Sequence, residues 1–331
     1  MKEILANKSI LVTGGTGSFG RRFIKNALKF PLKKIVVYSR DELKQYNMRK
    51  EYNHKNLRFF IGDVRDLERL KRALDNIDII IHAAALKQVV SSEYNPIECI
   101  KTNINGAENI INSAIDCGVK KVIALSTDKA VSPINLYGAT KLCSDKLFVA
   151  ANNLSGKKNT IFSVVRYGNV LGSRGSVVKL FNKLNQEKKP FTITDKRMTR
   201  FFITLNDAVN FVVKCIKKMN GGEIFIPKIP SVKIVDIATA INQNNKTTET
   251  GIRPGEKLHE LMIPKDESRN TYEFSDSYVI YPPDYFGNKN KFNNMIIGNS
   301  VNESFSYNSA DNKEWLDLKT LKKILKETDS D

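Results

Sequence analysis

Little in this sequence is arranged for metal binding or for disulfide cross-links. Its four cysteines (Cys99, Cys117, Cys143, Cys215) stand far apart with no C-x-x-C, and its three histidines (His54, His82, His259) show no ligand spacing. Free, buried thiols in a reducing compartment are the expectation, with no structural metal. No apolar run approaches the ~20 residues of a membrane-spanning helix. The opening MKEILANKSILVTGG runs straight into a strand and a glycine turn, without the apolar core of a signal peptide. A cytoplasmic protein with no membrane partner is expected. Internal repeats and low-complexity linkers are also missing. Acidic residues are few beside basic ones, 35 against 53, for a net charge of +18. That excess suits an anionic partner or, equally, a lysine-rich solvated surface, because the lysines are scattered and form no long block.

What is present is a pattern of alternation. The 331 residues are 41% hydrophobic, enough for one large two-lobed body. Apolar runs at Ser9–Thr13, Lys34–Ser39, Leu57–Gly62, Ile77–Ala84, Lys121–Ser126 and Thr160–Tyr167 read as strands. Amphipathic stretches such as Pro96–Cys117 and Leu136–Leu154 separate them. Strands that are apolar on both faces and alternate with helices predict an α/β, doubly wound parallel sheet. Beyond Tyr167 the pattern loosens into helices at Gly175–Lys188 and Asn206–Met219, a strand at Glu223–Lys228 able to rejoin the sheet, a short strand at Tyr278–Pro282, and a last helix near Trp315–Lys326. The expected organisation is a nucleotide-binding domain of residues 1–168 plus about 202–228, interleaved with a smaller C-terminal substrate lobe of 169–201 plus 229–331.

The stretch LVTGGTGSFG joins the first strand to a helix and places Gly14, Gly17 and Gly20 three apart. This is a Rossmann dinucleotide fingerprint: one glycine for the turn, one for backbone approach to a pyrophosphate, one for helix–strand packing. Thr16, Ser18 and Phe19 belong to the same loop, whose helix N-terminus favours an anion. An acid about 20 residues on marks an NAD site. Here the second strand ends YSRDELK, where Ser39, Arg40 and Lys44 suit the 2′-phosphate of NADP, and Asp41 is the alternative NAD acid. Asp63 and Val64 follow the third strand as an adenine contact, and Ala85 follows the fourth.

Tyr-x-x-x-Lys occurs three times, as Tyr46/Lys50, Tyr137/Lys141 and Tyr285/Lys289. Only Tyr137/Lys141 opens a helix just after a sheet strand, at the edge where a doubly wound fold binds ligands. Spaced i, i+4, the two share a helix face. A nearby ammonium and an oxidised nicotinamide would lower the phenol pKa, so Tyr137 reads as the base that takes a hydroxyl proton while hydride leaves. Simple alcohol oxidation does not explain Thr127, Asp128 and Lys129 just upstream.

The motifs TGGTGSFG, SRDELK, STDKAVSPINLYGATK, RYGNVLGSRGSV, MTRFFITL and IRPGEKLHE together resemble the extended short-chain dehydrogenase/reductase superfamily, and within it the inverting UDP-N-acetylglucosamine 4,6-dehydratases of the pseudaminic acid pathway, over nearly the whole chain. The resemblance implies oxidation at C4, loss of water across C5–C6, and return of hydride to C6 from a tightly held, recycled NADP. By analogy Lys129 takes the C5 proton and Asp128 protonates the departing hydroxyl. Lys129 must then titrate below the usual lysine range, pushed by burial and neighbouring cations, and Asp128 above the usual carboxylate range. The resemblance also places Asn169 and Lys87 beside the sugar, and implies a homo-oligomer, dimer or hexamer.

Arginine forks suit a diphosphate, and Arg174, Arg200 and Arg253 are the candidates. His259 reads as a packing or surface residue, with Glu256 and Lys257 as an exposed cap and its neighbour. Rival readings are a retaining dehydratase or 5-epimerase on a UDP-sugar. A non-enzymatic nucleotide- or RNA-binding protein is the rival of another class. It needs none of the Tyr137, Lys141 and Asp-Lys constellation, and no aromatic-interleaved basic surface is present, so no nucleic-acid partner is expected.

Overall fold

The apolar runs of the first half form six strands in a computed structural model that describes residues 2–173, 175–283 and 298–329. They are β1 (Ser9–Thr13), β2 (Lys34–Ser39), β3 (Leu57–Ile61), β4 (Ile79–His82), β5 (Lys121–Thr127) and β6 (Ile161–Tyr167). Every residue of β1 and β4 is buried, as expected for strands covered by helices on both faces. The six lie in the order β3-β2-β1-β4-β5-β6, all parallel. The chain winds outward from β1 to β3, then returns to the other side of β1 to start β4. The order therefore reverses between β1 and β4, and a ligand crevice opens at their C-terminal ends.

After β6 the chain leaves the sheet as β7 (Asn169–Val170), β8 (Phe191–Ile193) and β9 (Thr199–Ile203), then returns as β10 (Ile224–Pro227), parallel to β6. Next come β11 (Ser231–Lys233), β12 (Thr247–Glu249) and β13 (Leu261–Ile263). Strands β11, β9 and β7 form one small sheet, and β12 and β8 another. The main sheet then grows to ten strands through β14 (Thr271–Glu273), β15 (Ser277–Ile280) and β16 (Asn299–Ser300), while β17 (Tyr307–Asn308) pairs with β13. These three added strands come from the stretch 229–331 that the sequence assigns to the second lobe. β15 is wholly buried and runs antiparallel on β10, covering an edge that would otherwise stay unpaired.

A second, smaller core joins Leu171, Phe181, Phe191, Phe202 and Ile237 to Leu321 of the last helix, Leu318–Asp329. The single helix expected at Pro96–Cys117 is instead Pro96–Ile100, a π-helical turn at Lys101–Asn105, and Gly106–Asp116. All four cysteines are free, but only Cys99 and Cys215 are buried; Cys117 and Cys143 are exposed, contrary to expectation. Cys117 caps the end of the helix Gly106–Asp116, and Cys143 lies on the solvent side of the helix Leu136–Ala150. Among the described residues no helix is long and apolar enough to cross a membrane.

Candidate active site

A cavity of about 1000 Å³ runs along the C-terminal ends of the parallel strands and on into the second lobe. Its wall brings together the glycine loop, Ser39, Arg40 and Lys44, Asp63 and Val64, Ala85 and Lys87, Thr127, Lys129, Tyr137 and Lys141, and Asn169, Arg200 and Arg253. Asp128 lies just behind this wall, fully buried. Arg174 and the pair Tyr285/Lys289 lie outside the described residues. In the remaining Tyr-x-x-x-Lys, Lys50 merely rests on the exposed Tyr46 ring at 4.4 Å.

The glycine loop is shaped for a dinucleotide. Gly14 has φ +62°, and a Cβ there would meet the Ala83 carbonyl and Ala84 nitrogen, both at 2.9 Å. A Cβ on Gly20 would stand 2.6 Å from Gly15 Cα. The helix Ser18–Ala27 starts at Gly17 with no side-chain cap and no acid in its first turn, so nothing of its own competes with a bound anion. Thr16 and Ser39 hydroxyls meet at 2.8 Å and tie this loop to the end of β2. Asp41 caps the helix Glu42–Tyr52 by accepting from the Lys44 backbone N–H at 2.9 Å, and also pairs with the Lys44 ammonium. Asp63 is gripped by Arg65 at 2.7 Å, with Arg40 at 3.4 Å. Burial pushes its carboxyl up, but the arginines outweigh this and hold it below the usual range.

The candidate catalytic residues converge from three elements. β5 ends at Thr127, and a 3₁₀ turn, Asp128–Ala130, follows. The helix Leu136–Ala150 starts on Asn135, whose side chain accepts from Gly138 N–H at 2.8 Å and donates to the Gly255 carbonyl at 2.7 Å. Gly138 lets helix and turn touch: a Cβ there would lie 2.2 Å from the Lys129 carbonyl oxygen. Thr127 donates to Asp128 Oδ1 at 2.8 Å and stands beside the Tyr137 phenol. Lys129 Nζ donates to Asp128 Oδ1 at 3.0 Å and to Asn169 Oδ1 at 3.2 Å, and forms an ion pair with Glu260 Oε1 at 3.3 Å.

The electrostatics correct two expectations. Tyr137 is not held low; burial pushes its phenol up to about 12, with Lys129 pulling against that and Asp128 adding to it. Lys129 is not depressed either. Burial disfavours its charge, but Asp128 and Glu260 together outweigh burial and raise its pKa. The sequence reading lacked the second carboxylate, which comes from a distant loop. Lys141 is lowered, burial winning over the attraction of Asp145. Asp145 in turn accepts from Ser126 at 2.7 Å and faces Arg166.

Arg200 is also not a free fork for a diphosphate. Buried on β9, its guanidinium donates to the carbonyls of Thr199, Leu258 and Lys257 at 2.8–3.0 Å. Glu256 and Lys257, expected to be an exposed cap, are half-buried in the cavity wall. Glu256 pairs with Arg200 at 3.6 Å, and Lys257 donates to the Val131 carbonyl. Arg253 and Lys87 are exposed on the wall. His259 bonds Thr199 Oγ1 at 2.8 Å, in keeping with a packing role.

Sequence reasoning missed Glu260 and Asn103. Glu260 closes the IRPGEKLHE motif, whose earlier charges drew attention away from it. Asn103 sits on the π-helical turn and exchanges hydrogen bonds with the Leu86 N–H and carbonyl, both at 2.9 Å. The extra residue of that turn is what aims it inward, and nothing in the local composition announces it.

Comparison with known proteins agrees with this geometry. The profile of a family described as polysaccharide biosynthesis protein matches residues 10–282. A Campylobacter jejuni protein named UDP-N-acetylglucosamine 4,6-dehydratase (inverting) is 55% identical over 97% of this chain and 98% of its own. A Rickettsia bellii protein named UDP-glucose 4-epimerase is 42% identical over 84% of each. The crystal structure of Pen from Bacillus thuringiensis superposes with a TM-score of 0.90 at 35% identity, covering 98% of both chains. The dTDP-glucose 4,6-dehydratase DesIV of Streptomyces venezuelae, solved with NAD, shares the fold with a TM-score of 0.70 at 22% identity, over 76% of this chain and 86% of that one.

Proposed function

Because the chain belongs to the polysaccharide biosynthesis protein family, and a relative of nearly equal length and 55% identity is named an inverting dehydratase, we propose that it is a UDP-N-acetylglucosamine 4,6-dehydratase that inverts C5. The product is UDP-2-acetamido-2,6-dideoxy-β-L-arabino-hexos-4-ulose, released with water. One observation carries the reading: Asp128 and Lys129 touch at 3.0 Å beside Tyr137. An epimerase acting at C4 needs only the Tyr/Lys pair. An acid and a second amine at the same place equip the site for elimination.

When bound, the nicotinamide supplies hydride chemistry, from C4 and back to C6. Everything else is proton handling by the chain. Tyr137 takes the O4 proton, and the resulting 4-ketone acidifies C5–H. Lys129 takes the C5 proton, and Asp128 gives one to the departing C6 hydroxyl. Inversion requires the proton placed on C5 to arrive on the opposite face. Per turnover the sugar gives up its O4 and C5 protons, and takes up one at C5 and one in the leaving water, so the protein ends with the protons it began with.

The contacts suit this exchange. The Lys129–Asp128 ion pair becomes neutral amine and carboxylic acid, the two forms needed, when one proton crosses their 3.0 Å hydrogen bond. Lys129 therefore need not titrate low in isolation, since the proton that it sheds is the one Asp128 delivers. Thr127, which donates to Asp128 and stands beside the Tyr137 phenol, links the third group.

NADP is the cofactor in this reading, with Arg40 and Lys44 on the 2′-phosphate. It is supported by Asp41, whose carboxylate is engaged as a helix cap and by Lys44. Arg253 takes the diphosphate side, Asn169 and Lys87 the sugar. A cytoplasmic, homo-oligomeric enzyme of pseudaminic acid or related surface-sugar synthesis completes the reading, on the strength of the resemblance.

Incubation with UDP-N-acetylglucosamine in heavy water, without added NADP and followed by proton NMR and mass spectrometry, tests it. The expected result is loss of one water, deuterium at C5 and an L-arabino product. A D-xylo product would overturn inversion in favour of the retaining reading. Unchanged substrate would overturn the assignment of UDP-N-acetylglucosamine.

A further inference from the structure

Glu260 is built into the site without a role in the chemistry above. Its side chain is only 3% exposed yet forms part of the cavity wall. Its backbone is fixed from both sides: the Glu260 N–H donates to Ser309 Oγ and the Ser309 N–H to the Glu260 carbonyl, each at 2.9 Å. Ser309 Oγ is itself held by Thr199 Oγ1 at 2.7 Å. β13 follows immediately, with Met262 and Ile263 fully buried, so the loop end cannot drift.

The carboxylate is turned toward Lys129. Oε1 lies 3.3 Å from Lys129 Nζ but 3.7 Å from Arg200 Nε, while the other Arg200 nitrogens are committed to carbonyls. Oε2 is buried with no hydrogen-bond partner among the described residues. The carboxylate thus meets its cations through Oε1 alone.

We propose that Glu260 is a positioning residue for Lys129, gripping its nitrogen together with Asp128 and Asn169, and that its charge sets the pH at which Lys129 becomes a free amine. The proposal rests on the functional reading above for the role of Lys129, but not for the contact itself. Around that nitrogen stand Asp128 from its own turn, Glu260 from the C-terminal loop, Arg200 from β9, Tyr137 from the helix Leu136–Ala150, and Lys257 at the margin. Of these, only Asp128 and Glu260 favour the ammonium. Removing the Glu260 charge leaves Arg200 and Lys257 unopposed on that side, so the amine form must appear at lower pH. Burial and Lys129 act on Glu260 in opposite senses, and burial wins, raising its carboxyl. The loop thus presents a carboxylate whose own charge depends on Lys129 staying protonated.

The test is the titration of Lys129, followed by NMR of 13Cε-labelled lysine and assigned by loss of the signal in Lys129→Arg. In Glu260→Gln the Lys129 transition is expected at least one pH unit below its wild-type position, with thermal melting still cooperative. If Gln at this site does not fold, Glu260→Asp carries the same test with a smaller shift in the same direction. An unmoved transition in the folded variant overturns the proposal. The titration needs no turnover, so it stands apart from any failure of the substrate assignment. With an active enzyme, the falling limb of the pH–rate profile, where the Lys129–Asp128 pair loses the proton that it shares, is expected to move down with it in Glu260→Gln, KM for the sugar nucleotide changing less than threefold. A uniform loss of rate at every pH would mark Glu260 as structural and overturn the proposal.

Discussion

The side-chain amide of Asn103 donates to the Thr140 hydroxyl at 3.0 Å, and that hydroxyl donates to the Tyr137 carbonyl at 2.9 Å. The same amide closes on Leu86, so one buried residue joins the loop after β4 to the first turn of the helix that carries Tyr137 and Lys141. Replacing it with leucine keeps the volume and strands both Leu86 backbone groups. A loss of about 2–4 kcal/mol follows from one buried donor and one buried acceptor left unpaired. Denaturant unfolding of Asn103→Leu measures it, and a weakened cofactor affinity is expected alongside. Unfolding at the wild-type midpoint would show that the clamp contributes nothing.

Gly138→Ala is expected to disable the enzyme from a position that touches no substrate. The new methyl would lie 2.2 Å from the Lys129 carbonyl oxygen, which is backbone and cannot swing away. Overpacking of this kind destabilises by about 1–3 kcal/mol. The turn must retreat with Lys129 on it, and misplacement by about 1 Å lowers turnover on the order of 100-fold. Steady-state kinetics beside a thermal melt separate the two effects; kcat within threefold of wild type would contradict the close approach.

In the NADP reading, cofactor choice falls to two exposed cations, Arg40 and Lys44. If Arg40 and Lys44 bind a 2′-phosphate, the double change Arg40→Ala, Lys44→Ala removes two charge-assisted bonds of about 1.5–3 kcal/mol each. NADP affinity is then expected to fall at least 100-fold, while NAD affinity changes little. Equal loss for both cofactors would move recognition elsewhere on the wall. Isothermal titration with each dinucleotide decides.

Much of this architecture is legible in sequence because its signals are local. The runs from Ser9 to Tyr167, the edge strand β3 apart, are almost wholly buried, and the glycine spacing reports the turn at Gly14 directly. Thr127, Lys129, Tyr137 and Lys141 fall in one short stretch, so a motif captures them. Glu260 and Arg200 reach the same nitrogen or its partner from far along the chain, and only the folded second lobe brings them there. The expectation of a depressed Lys129 fails only partly for that reason: it weighs burial and cations without the pull of Asp128 beside it, the larger of the two, and without Glu260, which only the fold supplies. Strand β14 is likewise unannounced, because a run as short as Thr271–Glu273 carries no period of its own and finds its register only against β15, which the sequence does signal at Tyr278–Pro282.

Acid sensitivity should trace in part to His82 at the end of β4. Thr13 Oγ1 accepts from the Ala83 and Ala84 N–H groups at 3.1 and 3.2 Å, so its own hydrogen is directed to His82 Nδ1 at 2.9 Å. Nδ1 is thereby an acceptor, and the ring is neutral with its proton on Nε2. Complete burial, helped by the Lys141 ammonium, pushes the imidazole down to about 3. In the unfolded chain the same ring titrates near 6.5. Between those values the unfolded chain binds a proton that the folded chain refuses, so protons drive unfolding across that window. The stabilisation is complete above about pH 6.5 and is lost as pH falls toward 3. From pH 7 to 4.5 this one group removes about 2–3 kcal/mol, at about 1.4 kcal/mol per unit. His82→Gln keeps an acceptor for Thr13 and cannot titrate, so its stability should fall by that much less over the same interval. Urea unfolding of both proteins at pH 7 and 4.5 measures the difference. Parallel losses in the two would mean that the buried ring is not what acid attacks first.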